Sequence, residues 1–356
     1  MFWIYRAPTP KFTGMGKADN DKLFVNDFIP RVSRTFALAI KFLPPRLRHS
    51  VFTAYLLCRV ADTIEDSPAI GGAEKRARLI RLRDMLVEAT NGGPLRPDSI
   101  SLLHASIDSN SDHDHHLLSQ SGQLFEILGR LPESQRRIIY RWAGEMAGGM
   151  AEFTPLSKKD DGILVLENQA EWDRYCYFVA GTVGHMLTEL IISEYEIADD
   201  KARRLSDLCN SFGLGLQKVN TIKDVPSDRK RGVIFLPRDI MGHHGLTPET
   251  LSQSRFKSSI ASFVEELVGV TWNHLDDAIE YTALVPSHLK GVRMFLTVPI
   301  FLAAATLRKV AAHPVQTMIG PPVKIGRRDV ARLTSAAALH SPSNTRLAKY
   351  YQRLRR

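Results

Sequence analysis

Three carboxylates in the segment RVADTIED, Asp62, Glu65 and Asp66, stand at i, i+3 and i+4. On a helix that spacing puts all three on one face, beside the apolar residues Leu56, Leu57 and Val60. Like charges so placed repel by about 0.2–0.5 kcal/mol per pair on an isolated helix, and a bound divalent cation offsets the repulsion. Oxygen-only donors suit a hard ion, Mg²⁺ first and Mn²⁺ as the alternative. The plain alternative is a solvated helix end, the commoner fate of a single acidic cluster.

A second set lies far downstream in LGLQKVNTIKDVPSD, where Gln217, Asn220, Asp224 and Asp228 fall at i, i+3, i+7 and i+11. They form one polar stripe on an otherwise apolar helix, and buried polar groups need partners such as a metal or a ligand oxygen. Pro226 interrupts the DxxxD spacing, so Asp228 is less firmly placed than Asp224. Two oxygen-rich faces opposed across a gap would hold Mg²⁺ together with a diphosphate, since Mg²⁺ shares its shell between carboxylates and substrate phosphates. Pyrophosphate would be the leaving group. Arg59, three residues before Asp62, and Lys223, next to Asp224, have two readings each: a salt bridge to the neighbouring carboxylate, or a clamp on phosphate.

The elements that must carry these residues read as helices. A helix over Ser33–Leu43 ends at Pro44-Pro45, and the next runs from about Arg46 through Glu65. Ala73–Glu88, Gln135–Phe153, Glu171–Ile192, Lys201–Lys223, Ile260–Leu284 and Met294–Val310 carry helical periodicity, and alternating β-branched runs are scarce. The fold class is therefore all-α. Asn91–His116 reads as a flexible loop, and Ala311–Arg328 as a basic loop before a terminal helix. The tract His113–His116, with Asp112 and Asp114, lacks fixed ligand spacing and reads as solvated. The apolar run Met294–Leu307 contains Pro299 and is shorter than the ~20 residues of a membrane span, so it reads as a buried helix.

Composition bounds the class. The chain has 356 residues, 44% hydrophobic and 24% charged, which excludes a disordered tail, a collagen-like repeat and a multi-span membrane protein. A net charge of +9 calls for an anionic partner, whether nucleic acid, acidic lipid or a phosphorylated small molecule. The cysteines Cys58, Cys176 and Cys209 form no CxxC pair, and MFWIYRAPTPKFTG lacks the apolar run of a signal peptide, so the expected compartment is the cytoplasm.

The segments SRTFALAI, YLLCRVADTIED, EMAGGMAEF, EWDRYCYFVAGTVG and LGLQKVNTIKDVPSD resemble, in content and order, the squalene/phytoene synthase family of head-to-head prenyl transferases, over about Ser33 to Arg328. DTIED, EMAGGMAEF and the late basic stretch VKIGRR are similar to its squalene-forming branch; YCYFVAGTVG and GVIFLP do not discriminate between branches. The resemblance implies an isoprenoid-synthase helical bundle around a central apolar tunnel, occupying residues 26–356 after an N-terminal extension of residues 1–25. It implies that two farnesyl diphosphates condense through presqualene diphosphate and that NADPH then delivers hydride to give squalene.

By position the resemblance makes Tyr175 catalytic, with Phe36, Tyr55 and Phe295 as aromatic faces beside carbocations. It places Arg34, Arg59, Gln217 and Lys223 around diphosphate, Lys324 and Arg327 on NADPH, and Asp62, Glu65, Asp66, Asn220, Asp224 and Asp228 around the metal. Lys223 stands where Arg is frequent and Gly326 where Arg is common. Gly144, Ala147, Gly148, Gly181 and Gly184 make room either for the tunnel or for close helix packing. No GxGxxG motif supports a Rossmann module, and no nucleic-acid-binding motif accompanies the charge. The alternatives within reach are a phytoene or dehydrosqualene synthase, which needs no reductant, and a non-catalytic prenyl-diphosphate-binding subunit. Thr345–Arg356 sets Leu347, Tyr350, Tyr351 and Leu354 opposite Arg346, Lys349 and Arg353, a helix that docks on the core or rests peripherally on an anionic membrane.

Overall fold

The computed structural model describes residues 36–67, 69–104, 113–154 and 163–356. After a short helix α1 (Phe36–Ile40), Pro44 caps and Pro45 opens α2 (Pro45–Asp66), since a fixed φ and a missing N–H are harmless in a first helical turn. The middle of α2 is buried nearly all round, from Ser50 to Ala54 and Leu56 to Cys58, and its last two turns carry the first acidic set. Then come α3 (Gly72–Thr90), α4 (Pro97–His104), α5 (His113–Ser119), α6 (Ser121–Gly129) and α7 (Glu133–Phe153). The expected loop over 91–116 therefore contains a helix and the start of another. Ile100 and Leu103, one turn apart and buried, hold α4 in place against the polar composition around it.

Two short strands, β1 (Leu164–Leu166) and β2 (Val233–Pro237), pair in parallel with Leu164 opposite Val233 and Val165 opposite Ile234. They escape a periodicity reading because each is too short to show alternation. Between them run α8 (Gln169–Cys176), α9 (Thr182–Glu194), α10 (Asp199–Lys223) and α11 (Val225–Lys230). The α8 start is capped by Asn168 and steadied by Glu171. Glu171 N–H donates to Asn168 Oδ1 at 3.0 Å, and the Glu171 carboxylate accepts from Glu167 N–H at 2.8 Å. The continuous helix expected over 171–192 is instead interrupted by a π turn at Tyr177–Gly181.

That turn presses on α10, and the glycines there serve close packing and not a tunnel. A Cβ on Gly184 would lie 2.2 Å from the Cys209 carbonyl oxygen, and one on Gly181 would lie 2.4 Å from Asn210 Oδ1. Only bare backbone lets the two helices meet so closely.

The remainder is α12 (Arg238–His243), α13 (Lys257–Leu284), α14 (Lys290–Ala312), α15 (Pro314–Ile319), α16 (Arg327–His340) and α17 (Asn344–Arg355). The architecture is all-α, with the two-stranded pair as its sheet among the described residues. The stretch Gln169–Glu194 and the helix α14 are each apolar and long enough to cross a membrane, but 78% of the apolar window in α14 is covered by its neighbours, which makes it a core helix. The basic loop expected over 311–328 is corrected as well. α15 occupies its first half, anchored by buried Thr317 and Met318, and α16 begins at Arg327. The last helix docks on the core. Leu347, Tyr351 and Leu354 are buried, and the Tyr351 hydroxyl donates to Asp276 Oδ1 at 2.8 Å. Its apolar face is thus already covered by protein.

Candidate active site

The two acidic sets meet across one cleft of about 300 Å³. From α2 come Arg59, Asp62, Glu65 and Asp66; from α10 and its end come Gln217, Asn220, Thr221, Lys223 and Asp224. Tyr175, Val179, Asp228, Arg231 and Phe235 complete the lining. α10 stops at Lys223, and Pro226 opens α11, so the proline is accommodated in a first turn. The restart keeps Asp228 in the cleft, and the whole stripe from Gln217 to Asp228 serves one site.

Each acidic face carries cations. Arg59 Nη1 pairs with Asp62 Oδ2 at 3.1 Å, Lys223 pairs with Asp224, and Arg231 Nη2 pairs with Asp228 Oδ1 at 2.7 Å while Nη1 reaches Asp66. Lys75 of α3 donates to the Glu65 carbonyl oxygen at 2.6 Å. Crowding still shows in proton affinity. Burial, with Asp62 beside it, pushes the Glu65 carboxyl up to about 8, and burial with Asp224 pushes Asp228 up to about 7.

Tyr175 is buried, and its phenol lies well above the usual tyrosine range, first because of burial and then because of the charge on Glu65. At neutral pH it keeps its proton and is a neutral hydroxyl. α8 is locked to α10 by Trp172, whose indole N–H donates to Thr221 Oγ1 at 3.0 Å. The fully buried Lys218 sits 3.8 Å over the Trp172 ring and pairs with Asp173.

Phe36, Tyr55 and Phe295 form one aromatic cluster, with Phe36 5.5 Å from Tyr55 and 5.6 Å from Phe295, ring centre to ring centre. It does not line the acidic cleft. Tyr55 precedes Asp62 by seven residues on α2, which sets the cluster roughly 10 Å further down the same helix face. Lys324 and Arg327 are exposed and lie apart from the cleft lining. Arg34 and the extension of residues 1–25 lie outside the described residues, as do the side chains of His113, Asp114 and His115. Arg231 and Phe235 were not singled out by sequence reasoning. The Asp228–Arg231 spacing of i, i+3 was a visible signal; Phe235 reaches the cleft only through the β1–β2 pairing.

The donor set fits Mg²⁺. Among the described residues no three acidic side chains enclose a cation by themselves. Mg²⁺ does not require this: it is typically held by one or two carboxylates and completes its shell with water and substrate phosphate. Hard oxygens from two helices thus face one cleft, with cations already balancing them. The chain belongs to the squalene/phytoene synthase family, whose model matches residues 29–332. It is 29% identical to the squalene synthase of Cyberlindnera jadinii and 28% identical to that of Schizosaccharomyces pombe, each match covering 79% of this chain. The chain spans about three-fifths of those relatives, 60% and 58%. A solved complex of TcSQS with the ligand BPH1237 superposes with a TM-score of 0.75 at 26% identity, over 94% of this chain and 92% of that one.

Proposed function

We propose that this protein is a squalene synthase, condensing two farnesyl diphosphates head to head to presqualene diphosphate and reducing that product to squalene with NADPH. The observation that carries the first half is the facing of Asp62, Glu65 and Asp66 with Asn220, Asp224 and Asp228 across one cleft, with Tyr175 on its wall. When bound there, Mg²⁺ supplies positive charge to a departing diphosphate. The residues that would hold it are those six.

The chain's own groups do the rest. Arg59 and Lys223 give the diphosphate charge-assisted donors at the cleft edge, and Gln217 orients Asn220, which donates to its Oε1 at 3.3 Å. Tyr175, protonated and held by its stacked ring, offers a developing allylic cation a hydroxyl dipole without attacking it. It is too weakly acidic to serve as the base, which leaves the released diphosphate as the stronger acceptor for the proton lost on cyclopropane closure. The aromatic cluster of Phe36, Tyr55 and Phe295 lies where the prenyl chain of a substrate held at the cleft would run.

The reductive half is supported by the likeness to squalene synthases. Lys324 and Arg327, the residues that would meet NADPH, are exposed and stand off the cleft. Incubation with farnesyl diphosphate, Mg²⁺ and NADPH tests both halves. Squalene supports the whole reading; presqualene diphosphate that accumulates, or conversion to dehydrosqualene without reductant, assigns the chain to the other branch. No turnover leaves the binding-subunit reading.

A further inference from the structure

Arg231 holds one carboxylate from each acidic face at once. Its Nη2 donates to Asp228 Oδ1 at 2.7 Å on α11, and its Nη1 reaches across to Asp66 on α2. Arg59 pairs with Asp62 on its own helix, and Lys223 with Asp224 at the end of its own. The crossing guanidinium therefore stands between the two faces, where a metal-bound diphosphate would need to enter. Its side chain is 42% exposed, so it can leave this position without unpacking the core.

A guanidinium and a divalent cation compete for the same carboxylate oxygens. A guanidinium and a diphosphate attract, and the arginine fork matches phosphate as well as carboxylate. We propose that Arg231 is an exchangeable counter-ion: it screens Asp66 and Asp228 in the ion-free protein, opposes entry of Mg²⁺ alone, and moves onto the diphosphate when metal and diphosphate arrive together. The site then fills as a set, and Mg²⁺ without substrate is disfavoured. This rests on the reading of the cleft as a Mg²⁺–diphosphate site.

The test is isothermal titration of the full chain, wild type, Arg231→Gln and Arg231→Lys, with MgCl₂ alone and with inorganic pyrophosphate at saturating Mg²⁺. In Arg231→Gln the affinity for Mg²⁺ alone rises by about two- to fivefold, the range of an exposed ion pair, while pyrophosphate affinity falls by about tenfold or more. The opposite signs are the signature. A residue that only supports the fold weakens both, and one that only binds phosphate leaves Mg²⁺ alone unchanged; either result overturns the proposal. Arg231→Lys keeps the charge but holds one carboxylate at a time, so it shows the same two signs at smaller size. If Arg231→Gln does not fold, a shift of both affinities of Arg231→Lys in one direction overturns the proposal. A wild type that binds neither Mg²⁺ nor pyrophosphate overturns this proposal and the proposed function together, whereas normal wild-type binding with the wrong signs in the variants overturns this one alone.

Discussion

The rings of Tyr175 and Phe235 lie stacked, centroids 4.0 Å apart and planes within 7° of each other. Phe153 packs against Tyr175 in a T-shaped contact, centroids 5.4 Å apart. The ring is therefore held by packing and the hydroxyl is left for chemistry. Tyr175→Phe keeps both ring contacts, so its melting temperature and its affinity for Mg²⁺-pyrophosphate match the wild type. Its turnover of farnesyl diphosphate falls by about 100-fold, the lower end for a group acting in proton transfer or charge stabilisation. Undiminished turnover would remove Tyr175 from the mechanism.

Neutralising one acid on either face separates activity from stability. Asp62→Asn and Asp224→Asn each remove a hard anionic donor and, at the same time, a like charge beside Glu65 or Asp228. Product formation drops by about 100-fold or more, as expected when charge stabilisation of a leaving group is lost. The metal-free melting temperature changes little, because the repulsion relieved offsets the partly exposed ion pair to Arg59 or Lys223 that is lost. Product analysis with a thermal melt checks both; intact product formation in either variant would refute the metal assignment.

Proton affinity makes metal binding depend on pH. Glu65, pushed up to about 8, and Asp228, pushed up to about 7, bind protons more tightly in the folded chain than in the unfolded one, where carboxyls titrate near their ordinary values. The folded state therefore holds more protons between about pH 4 and 8. Their contribution to stability is present at acid pH and is lost as pH rises through 8. Mg²⁺ binds the ionised forms, so the rise in melting temperature that Mg²⁺ produces grows from pH 6 to pH 8.5, and binding at pH 7 releases protons. Melts with and without Mg²⁺ across that range check it; a shift that does not change with pH contradicts the two carboxyl assignments.

The legible part of the site was its helical part. Asp62, Glu65 and Asp66, and the stripe from Gln217 to Asn220, sit where spacing puts them, because each set lies within one regular helix and the i, i+3, i+4 rule fixes direction as well as position; Asp224 caps the end of the second helix. Asp228 was less determined, since a proline break permits several chain directions, and only the restart at α11 returns it to the cleft. Phe235 depends on pairing with β1, a contact between segments some 70 residues apart that no local pattern encodes, and although the Asp228–Arg231 spacing is local, the reach of Arg231 to Asp66 is not. Pro97–His104 was hidden by polar composition, and the π turn at Tyr177–Gly181 by a sequence whose apolar pattern runs on unbroken. For Gly184, sequence left room-making and close packing open; the position of the Cys209 carbonyl decides for packing.

That contact gives a prediction of opposite sign at two glycines. In Gly184→Ala the new Cβ would lie 2.2 Å from the Cys209 carbonyl oxygen, so α9 and α10 must move apart. Backbone cannot rotate away as a side chain can, and overpacking of this kind costs about 1–3 kcal/mol. Because α10 carries Gln217 and Asn220 and ends at Asp224, its displacement also raises the KM for farnesyl diphosphate. Gly122, in the first turn of α6, is exposed, and a methyl group added there would meet nothing within 4 Å, so Gly122→Ala stabilises by about 0.4–1 kcal/mol and leaves the KM unchanged. Chemical denaturation and steady-state kinetics on the two variants separate the cases. A Gly184→Ala enzyme as stable and as active as the wild type would mean that the α9–α10 contact does not set the position of the second acidic face.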